Sequence, residues 1–475
     1  MLKKNIIFTV CIILFSIRGI LYAEDITLEQ ALSDLYSTHE GISQADLDYR
    51  QKELERKAAL GLYSPRFSIN ALYTYFGKDL TMDVDLDPLK QGLSGILSNL
   101  PIPLPIPPDV IVNKIPDTVE QVVQKEQFFS LNAAMIWPVF TGGQIIAANQ
   151  AAKANLAISK SERFAKRNEL GSSLAEKYFT LRFAQDVVAL KEDVRNSMQQ
   201  HYERAIKLEK VGMLAKVERL HAEMSLKEAE KSLNQSKREI KLANSAFKSM
   251  INSQDEEIRL STPLFIIEEG IIEPLNYFQD LASLQNPRLK QLQSAQGLAK
   301  AGVTNARSEF IPKINAFGMV NIYDYQLSSV SPDAVVGVQM KINLFDGLHG
   351  YHKYKASKSA EESVKLRLVR AEKDIKTLVE QQYISLENAR ADYVAAQSSL
   401  AFTEEYLRAR KKAFSQGIAT SLDVVDAELA LSNAKLEAIT AAYKFDIALI
   451  KLLETAGIFD AFNSYRVKAT IEPVL

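Results

Sequence analysis

Apolar positions recur through most of this chain at spacings of three and four, which marks amphipathic helices, and change to strict alternation in four short stretches. From Ile26 to about Leu62 the helical set is Leu28, Ala31, Leu32 and Leu35, then Leu47, Leu54, Ala58 and Leu62; Thr27 with Gln30 three later reads as a capping box at its start. Pro65 stops the run, because it cannot continue a helix and biases Ser64 to extended geometry. Phe67, Ile69, Ala71, Tyr73 and Tyr75 then alternate with Ser68, Asn70, Leu72 and Thr74, predicting a strand with one apolar face. A second strand is predicted through Phe129, Leu131, Ala133, Met135 and Trp137. Between the two, residues 78–126 carry a proline ladder from Pro101 to Pro108, which predicts an exposed, extended loop.

After Phe140-Thr141-Gly142-Gly143 no proline occurs until Pro263, and Leu, Ala, Glu, Lys and Gln dominate. Two long helices joined near Gly212 are predicted, the first reaching roughly 100 Å at 1.5 Å per residue. The whole pattern then repeats. Phe310-Ile311-Pro312-Lys313 corresponds to the helix end at Pro65, 247 positions on; strands follow at Ile314 to Tyr323 and Val335 to Phe345. Phe345-Asp346-Gly347 lies 205 positions after Phe140-Thr141-Gly142, and the same offset relates Tyr178 to Tyr383, Gly212 to Gly417 and Glu223 to Glu428. The helical arms are therefore equal in length, and only the first β-hairpin is longer. A duplicated unit of helix, β-hairpin and long helical hairpin is a repeat architecture.

The expected organisation is a signal peptide at 1–23, a first repeat at 24–262, a connector at 263–276, a second repeat at 277–456 and a tail at 457–475. The first repeat holds a β-hairpin at about 67–140 and a helical hairpin at 144–260; the second holds them at about 313–345 and 348–456. Lys3 and Lys4, the apolar run Ile6 to Ile17 and Leu21-Tyr22-Ala23 give the order of a secretory signal. A short membrane anchor is the alternative, but the run is too short to span easily.

The one cysteine, Cys11, falls in that segment, which removes disulfides and thiolate chemistry from the mature chain. Acidic and basic residues number 58 and 57, so no basic field points to nucleic acid. No later stretch is a membrane helix, which leaves a β-barrel as the route into a membrane. In the last strand Val336, Val338, Met340, Ile342 and Leu344 oppose Gly337, Gln339, Lys341 and Asn343. That fits a soluble sandwich, or a barrel with lipid outside and a wet lumen. Four strands cannot close a barrel alone, and three chains would supply twelve.

The glycine tips at Gly212 and Gly417, the run Asp423-Val-Val-Asp426-Ala-Glu, the switches at Pro65 and Pro312 and the Phe-x-Gly exits ending in Gly142 and Gly347 together resemble the TolC family of outer-membrane efflux channels. The likeness covers nearly all of the mature chain. It implies a mainly α fold with a small β part: a homotrimer whose twelve-stranded barrel in outer-membrane lipid continues into a twelve-helix periplasmic tunnel. It implies a passive exit duct for drug efflux or type I secretion, without cofactor or catalytic site. A periplasmic adaptor and an inner-membrane pump of the RND or ABC type would be its partners, docking at the tips around Gly212, Glu218, Gly417 and Ala419. The family's entrance aspartates correspond to Asp423 and Asp426, while its basic latch residue is replaced by Ala419. Residues three apart share a helix face, so three chains would ring the axis with six carboxylates able to hold a blocking cation. The alternative for Asp423 is a helix cap.

Minor signals stay minor. His349 and His352 lack a third metal ligand, His201 and His221 read as single surface residues, and Gly142-Gly143 lacks the Gly-Lys-Ser/Thr of a phosphate loop. Two other function classes remain to be weighed: a periplasmic helical-hairpin adaptor without a pore, and a hydrolase for which only scattered carboxylates speak.

Overall fold

The computed structural model describes residues 25–99, 105–251, 258–328 and 331–469; the expected signal segment and the first half of the proline ladder lie outside them. In chain order the elements are α1 (Leu28–Thr38), α2 (Glu40–Leu60), β1 (Arg66–Tyr75), β2 (Leu80–Asp85), α3 (Asp87–Ser98), α4 (Pro108–Val112), β3 (Thr118–Gln124), β4 (Gln127–Phe140), α5 (Gln144–Lys210) and α6 (Lys216–Ile251). They continue with α7 (Leu275–Gln285), α8 (Pro287–Arg307), β5 (Lys313–Tyr325), β6 (Ala334–Lys341), α9 (His349–Ser415), α10 (Ser421–Ala456) and α11 (Phe462–Val467).

The helices of the two repeats match in length. α1 and α7 have 11 residues each, α2 and α8 have 21, α5 and α9 have 67, and α6 and α10 have 36. The chain divides into two compact units, one built from Glu55–Ala152 with Ala299–Ser359 and one from the segments ending at Leu54 and beginning at Ala360 together with Lys153–Leu298.

In the first of these, a one-turn 3-10 helix precedes each proline: Gly61–Tyr63 before Pro65 and Ser308–Phe310 before Pro312. The strands form one antiparallel sheet in the order β1-β4-β5-β6. Its register puts Phe67, Ile69, Ala71 and Tyr73 opposite Met135, Ala133, Leu131 and Phe129, then carries that face through Val320, Gly318 and Ala316 to Ala334, Val336 and Val338. Ser68, Asn70, Ser130, Asn132, Asn315, Asn321, Asp324, Gln339 and Lys341 share the opposite face. The apolar face is widely exposed: Phe67 is 76 % and Val336 86 % accessible. Aromatic rings gather at its two ends, Tyr73, Tyr75, Phe129, Tyr323 and Tyr325 at one and Phe67 and Trp137 at the other, with aliphatic side chains between.

Each strand exit starts a helix by the same device. The Thr141 hydroxyl accepts from the Ile145 amide at 3.2 Å, and the Asp346 carboxylate accepts from the Gly350 amide at 2.9 Å. The middle residue of Phe-x-Gly is thus a helix cap in both repeats. Gly142 follows at φ +63°, where a Cβ would lie 2.9 Å from that of Ile311.

Two expectations are corrected here. Residues 78–126 are not a plain loop: β2 and β3 pair antiparallel, with α3 and α4 between them. The prolines hid this, although Pro88 and Pro108 sit in the first turn of these helices, where the ring is tolerated. β6 also ends at Lys341 rather than running to Phe345. Its partner β5 begins opposite, at Lys313, and Pro312 before it has no N–H to extend the ladder.

In the helical unit the expected connector and tail are core. Leu264 to Ile267 are buried, as are Phe459, Phe462 and Tyr465. The Phe265 ring meets Phe179 of α5 at 6.0 Å, Phe445 of α10 at 6.3 Å and Phe462 of α11 at 6.0 Å, so one connector residue joins three helices. Asp446 lies fully buried beside it, and burial pushes its carboxyl well above the usual range. The Tyr178 hydroxyl donates to Ile26 O and accepts from the Thr262 amide, tying the start of the described chain to the connector.

Substitution of the two kinds of glycine should separate conformational strain from overlap. Gly212→Ala, with open space around its Cβ position but φ +77°, is expected to cost about 1–2 kcal/mol. Gly142→Ala adds the collision with Ile311 and is expected to cost about 2–4 kcal/mol, read as the larger fall in unfolding midpoint in detergent; equal falls would refute it.

Candidate functional site

Both helical hairpins reverse through the same turn. α5 ends with the Met213 amide bonded to Leu208 O at 2.9 Å and Gly212 at φ +77°; α9 ends with the Ile418 amide bonded to Ala413 O at 3.0 Å and Gly417 at φ +77°. This six-to-one bond over a left-handed glycine satisfies carbonyls that the helix end leaves free.

The helices that follow begin differently. At the second tip Thr420 caps α10: its hydroxyl accepts from the Asp423 amide at 3.2 Å, and the Asp423 carboxylate accepts in return from the Thr420 amide at 2.8 Å. The first tip has Ala215 at the matching position, which offers no cap. Glu218, the counterpart of Asp423, serves another helix. Its carboxylate accepts from the Ser421 amide at 2.8 Å, filling a free donor at the start of α10.

Ser421 is the centre of the junction. It is fully buried, and its hydroxyl shares a 2.7 Å hydrogen bond with His201 Nε2 from α5. The His201 ring lies 4.9 Å from that of Phe414 on α9. His201, expected at the surface, is buried instead, only 8 % exposed. A lone histidine amid charged neighbours gives little sequence signal, since the partner that buries it lies 220 positions away.

Charges ring this centre. Arg219 bridges Glu209 and Glu223, each at 2.7 Å. Lys411 pairs with Glu428 at 2.9 Å and donates to Ser197 at 3.2 Å. With Ala419 lacking a charge, the cation beside Asp423 is Arg410, at 3.4 Å. The Asp423 carboxyl is held below its usual range by the Thr420 amide first, then the Thr420 hydroxyl and Arg410. Burial is the main cause lowering the His201 imidazole.

Of the two aspartates, Asp423 is thus engaged in a cap, the alternative that the sequence left open, while Asp426 is exposed. Asp426 helps line a cleft of about 420 Å³ among α5, α6 and α10, with Met198, His221, Met224 and Val425. Pro65, Pro312, Gly142 and Gly347 belong to the strand-bearing unit and take no part in this junction.

The family profile described as outer membrane efflux protein matches residues 122–253 and 279–457, more than half of the chain and most of both repeats. The chain belongs to this family. Among curated proteins it is similar to the alkaline protease secretion protein AprF of Pseudomonas aeruginosa, 25 % identical over 199 residues. That alignment spans 40 % of each chain, so less than half of the relative's length is matched. Among solved structures, the outer membrane protein VceC of Vibrio cholerae superposes with a TM-score of 0.70 at 14 % identity, covering 90 % of this chain and 96 % of the other. The MtrE outer membrane channel of Neisseria gonorrhoeae, described in an open state, gives 0.71 at 16 % identity, with 91 % and 89 % covered. These likenesses establish the fold of an outer-membrane efflux channel: long paired helical hairpins with a small β part.

Removing the cross-hairpin carboxylate should loosen the second tip before it unfolds anything. In Glu218→Ala the buried Ser421 amide loses its acceptor, worth about 1–3 kcal/mol, and hydrogen exchange across the peptides around residues 418–425 is expected to rise about tenfold or more. Exchange unchanged from the parent would show that this bond does not hold the tip.

Proposed function

We propose that this chain forms the outer-membrane exit duct of a tripartite efflux or type I secretion system, as a passive, gated homotrimer extending into the periplasm. The observation that carries the proposal is the two-faced sheet. A soluble sheet has no use for an apolar face as exposed as Phe67 and Val336 make it. In a barrel, lipid covers that face and the Asn, Ser, Gln and Lys face lines a wet lumen. Phe67 to Tyr75 spans roughly 26 Å of strand, and with barrel tilt the two aromatic clusters match the girdles at either side of an apolar band about 25 Å tall. The free edges of β1 and β6 require further strands, and three copies reach twelve.

The tips are then the periplasmic entrance. Val211, Met213, Ile418 and Leu422 are exposed there and offer apolar anchors to an adaptor, which couples the duct to an inner-membrane pump of the RND or ABC type. The likeness to a protease secretion protein favours the secretion branch. No step of such transport calls for a catalytic residue or cofactor in this chain. A pore-free adaptor is disfavoured, because nothing in that role would cover the apolar face of the sheet.

Single-channel recording of the purified mature protein, with native mass for its oligomeric state, tests the reading: small cation-selective steps from a trimer are expected. A soluble monomer without conductance would overturn it in favour of the scaffold. Within the duct, Asp423→Ala with Asp426→Ala is expected to raise conductance and weaken block by divalent cations. Asp426→Asn, which touches no cap, isolates the charge effect; unchanged block in both would sink the assignment of these carboxylates to the constriction.

A further inference from the structure

We propose that the buried His201–Ser421 pair is an acid-responsive latch, which holds the two hairpin tips together at neutral pH and releases them as the medium acidifies. Its consequence for transport rests on the duct reading, in which the tips are the closed end of the channel.

The geometry singles out this pair. His201 comes from α5, Phe414 against its ring comes from α9, and Ser421 is the first residue of α10. Glu218 from α6 already holds the Ser421 amide, so the hydroxyl is that residue's other donor, and His201 is its partner. The pair and the groups touching it therefore come from all four long helices: Glu218 and His201 bond Ser421, and Phe414 packs on the His201 ring. A neutral imidazole can share this bond in either tautomer, whereas an imidazolium must keep a full charge in a site nearly closed to water.

The groups facing the ring do not offset that cost. Arg204 on α5 and Lys411 on α9 oppose a positive charge, while Glu218 on α6 and Glu428 on α10 favour one. Both carboxylates are already engaged, Glu218 by the Ser421 amide and Glu428 by Lys411. Two cations against two anions leave desolvation to decide, and it lowers the basicity of the latched ring.

The sign follows. A released, solvated imidazole titrates near its ordinary value of about 6.5, and the latched ring below that. The latch is at full strength above the ordinary value. It weakens as pH falls below it, and the loss is complete once pH has passed the lowered value. Each unit of separation between the two shifts the balance between latched and released tips about tenfold.

The test uses the full mature chain in detergent or nanodiscs, at about pH 7.5 and about pH 5. Hydrogen exchange of peptides covering 197–221 and 410–425, corrected for the intrinsic pH dependence, is measured beside bilayer current. The parent should show a severalfold rise in corrected exchange and in open probability at the lower pH. His201→Gln should abolish that dependence, and His221→Gln, at the cleft a short way along α6, should keep it. A parent whose corrected exchange is flat across this range would overturn the latch without any variant being needed, as would a His201→Gln chain that retains the full slope. An exchange step with no current at either pH would uphold the latch and count against the duct.

Discussion

Equal arm length is the constraint on which the rest of this molecule depends. A 67-residue helix has no interior of its own, and it persists because an apolar stripe along it finds a neighbour. Each arm carries its glycine turn the same distance from its own strand exit. One residue inserted into either α5 or α9 would advance its tip by about 1.5 Å and rotate every later side chain by about 100°. Glu218 would then no longer face the Ser421 amide, nor His201 the Ser421 hydroxyl. By contrast, the 42 additional positions of the first repeat, seen as the difference between offsets of 247 and 205, all fall between β1 and β4. There they displace no helix, and length was free to change.

The second constraint is backbone hydrogen bonding. A membrane interior leaves unpaired backbone amides at a high cost, so a sheet that enters one must close. The four strands supply what such closure needs: a continuous antiparallel ladder, an apolar face bounded by aromatic residues, and a polar face. The caps at Thr141 and Asp346 convert each outgoing strand to a helix within a few residues. That conversion lets one chain carry both kinds of wall that the proposed duct requires.

The repeat, the helix-to-strand switches and the two-faced strands were legible in the sequence because each rests on local chemistry: proline at a fixed place, glycine at a positive φ, alternation along a strand. What was not legible depends on partners far apart in the chain. Leu264 to Ile267 read as a connector because nothing local says that Phe265 will meet Phe179, Phe445 and Phe462. His201 read as exposed for the same reason. The strands and helices within 78–126 were not legible beside the proline ladder, although Leu80, Met82 and Val84 do alternate there with Thr81, Asp83 and Asp85.

The two tips show what duplication leaves and what it changes. Turn geometry is the same in both, down to the φ of the glycine, because any other residue there is strained. The capping position is not: Thr420 keeps Asp423 in a local cap, whereas Ala215 leaves Glu218 without one. With alanine where the second tip has that hydroxyl, the first tip's carboxylate bonds the second tip instead of its own. The Glu218 bond adds to two others that cross between the hairpins, His201 to Ser421 and Lys411 to Ser197. Together these bonds make the tips one junction, with a buried histidine, a serine and a carboxylate contributed by three different helices, and it is there that a stimulus can act on both hairpins at once.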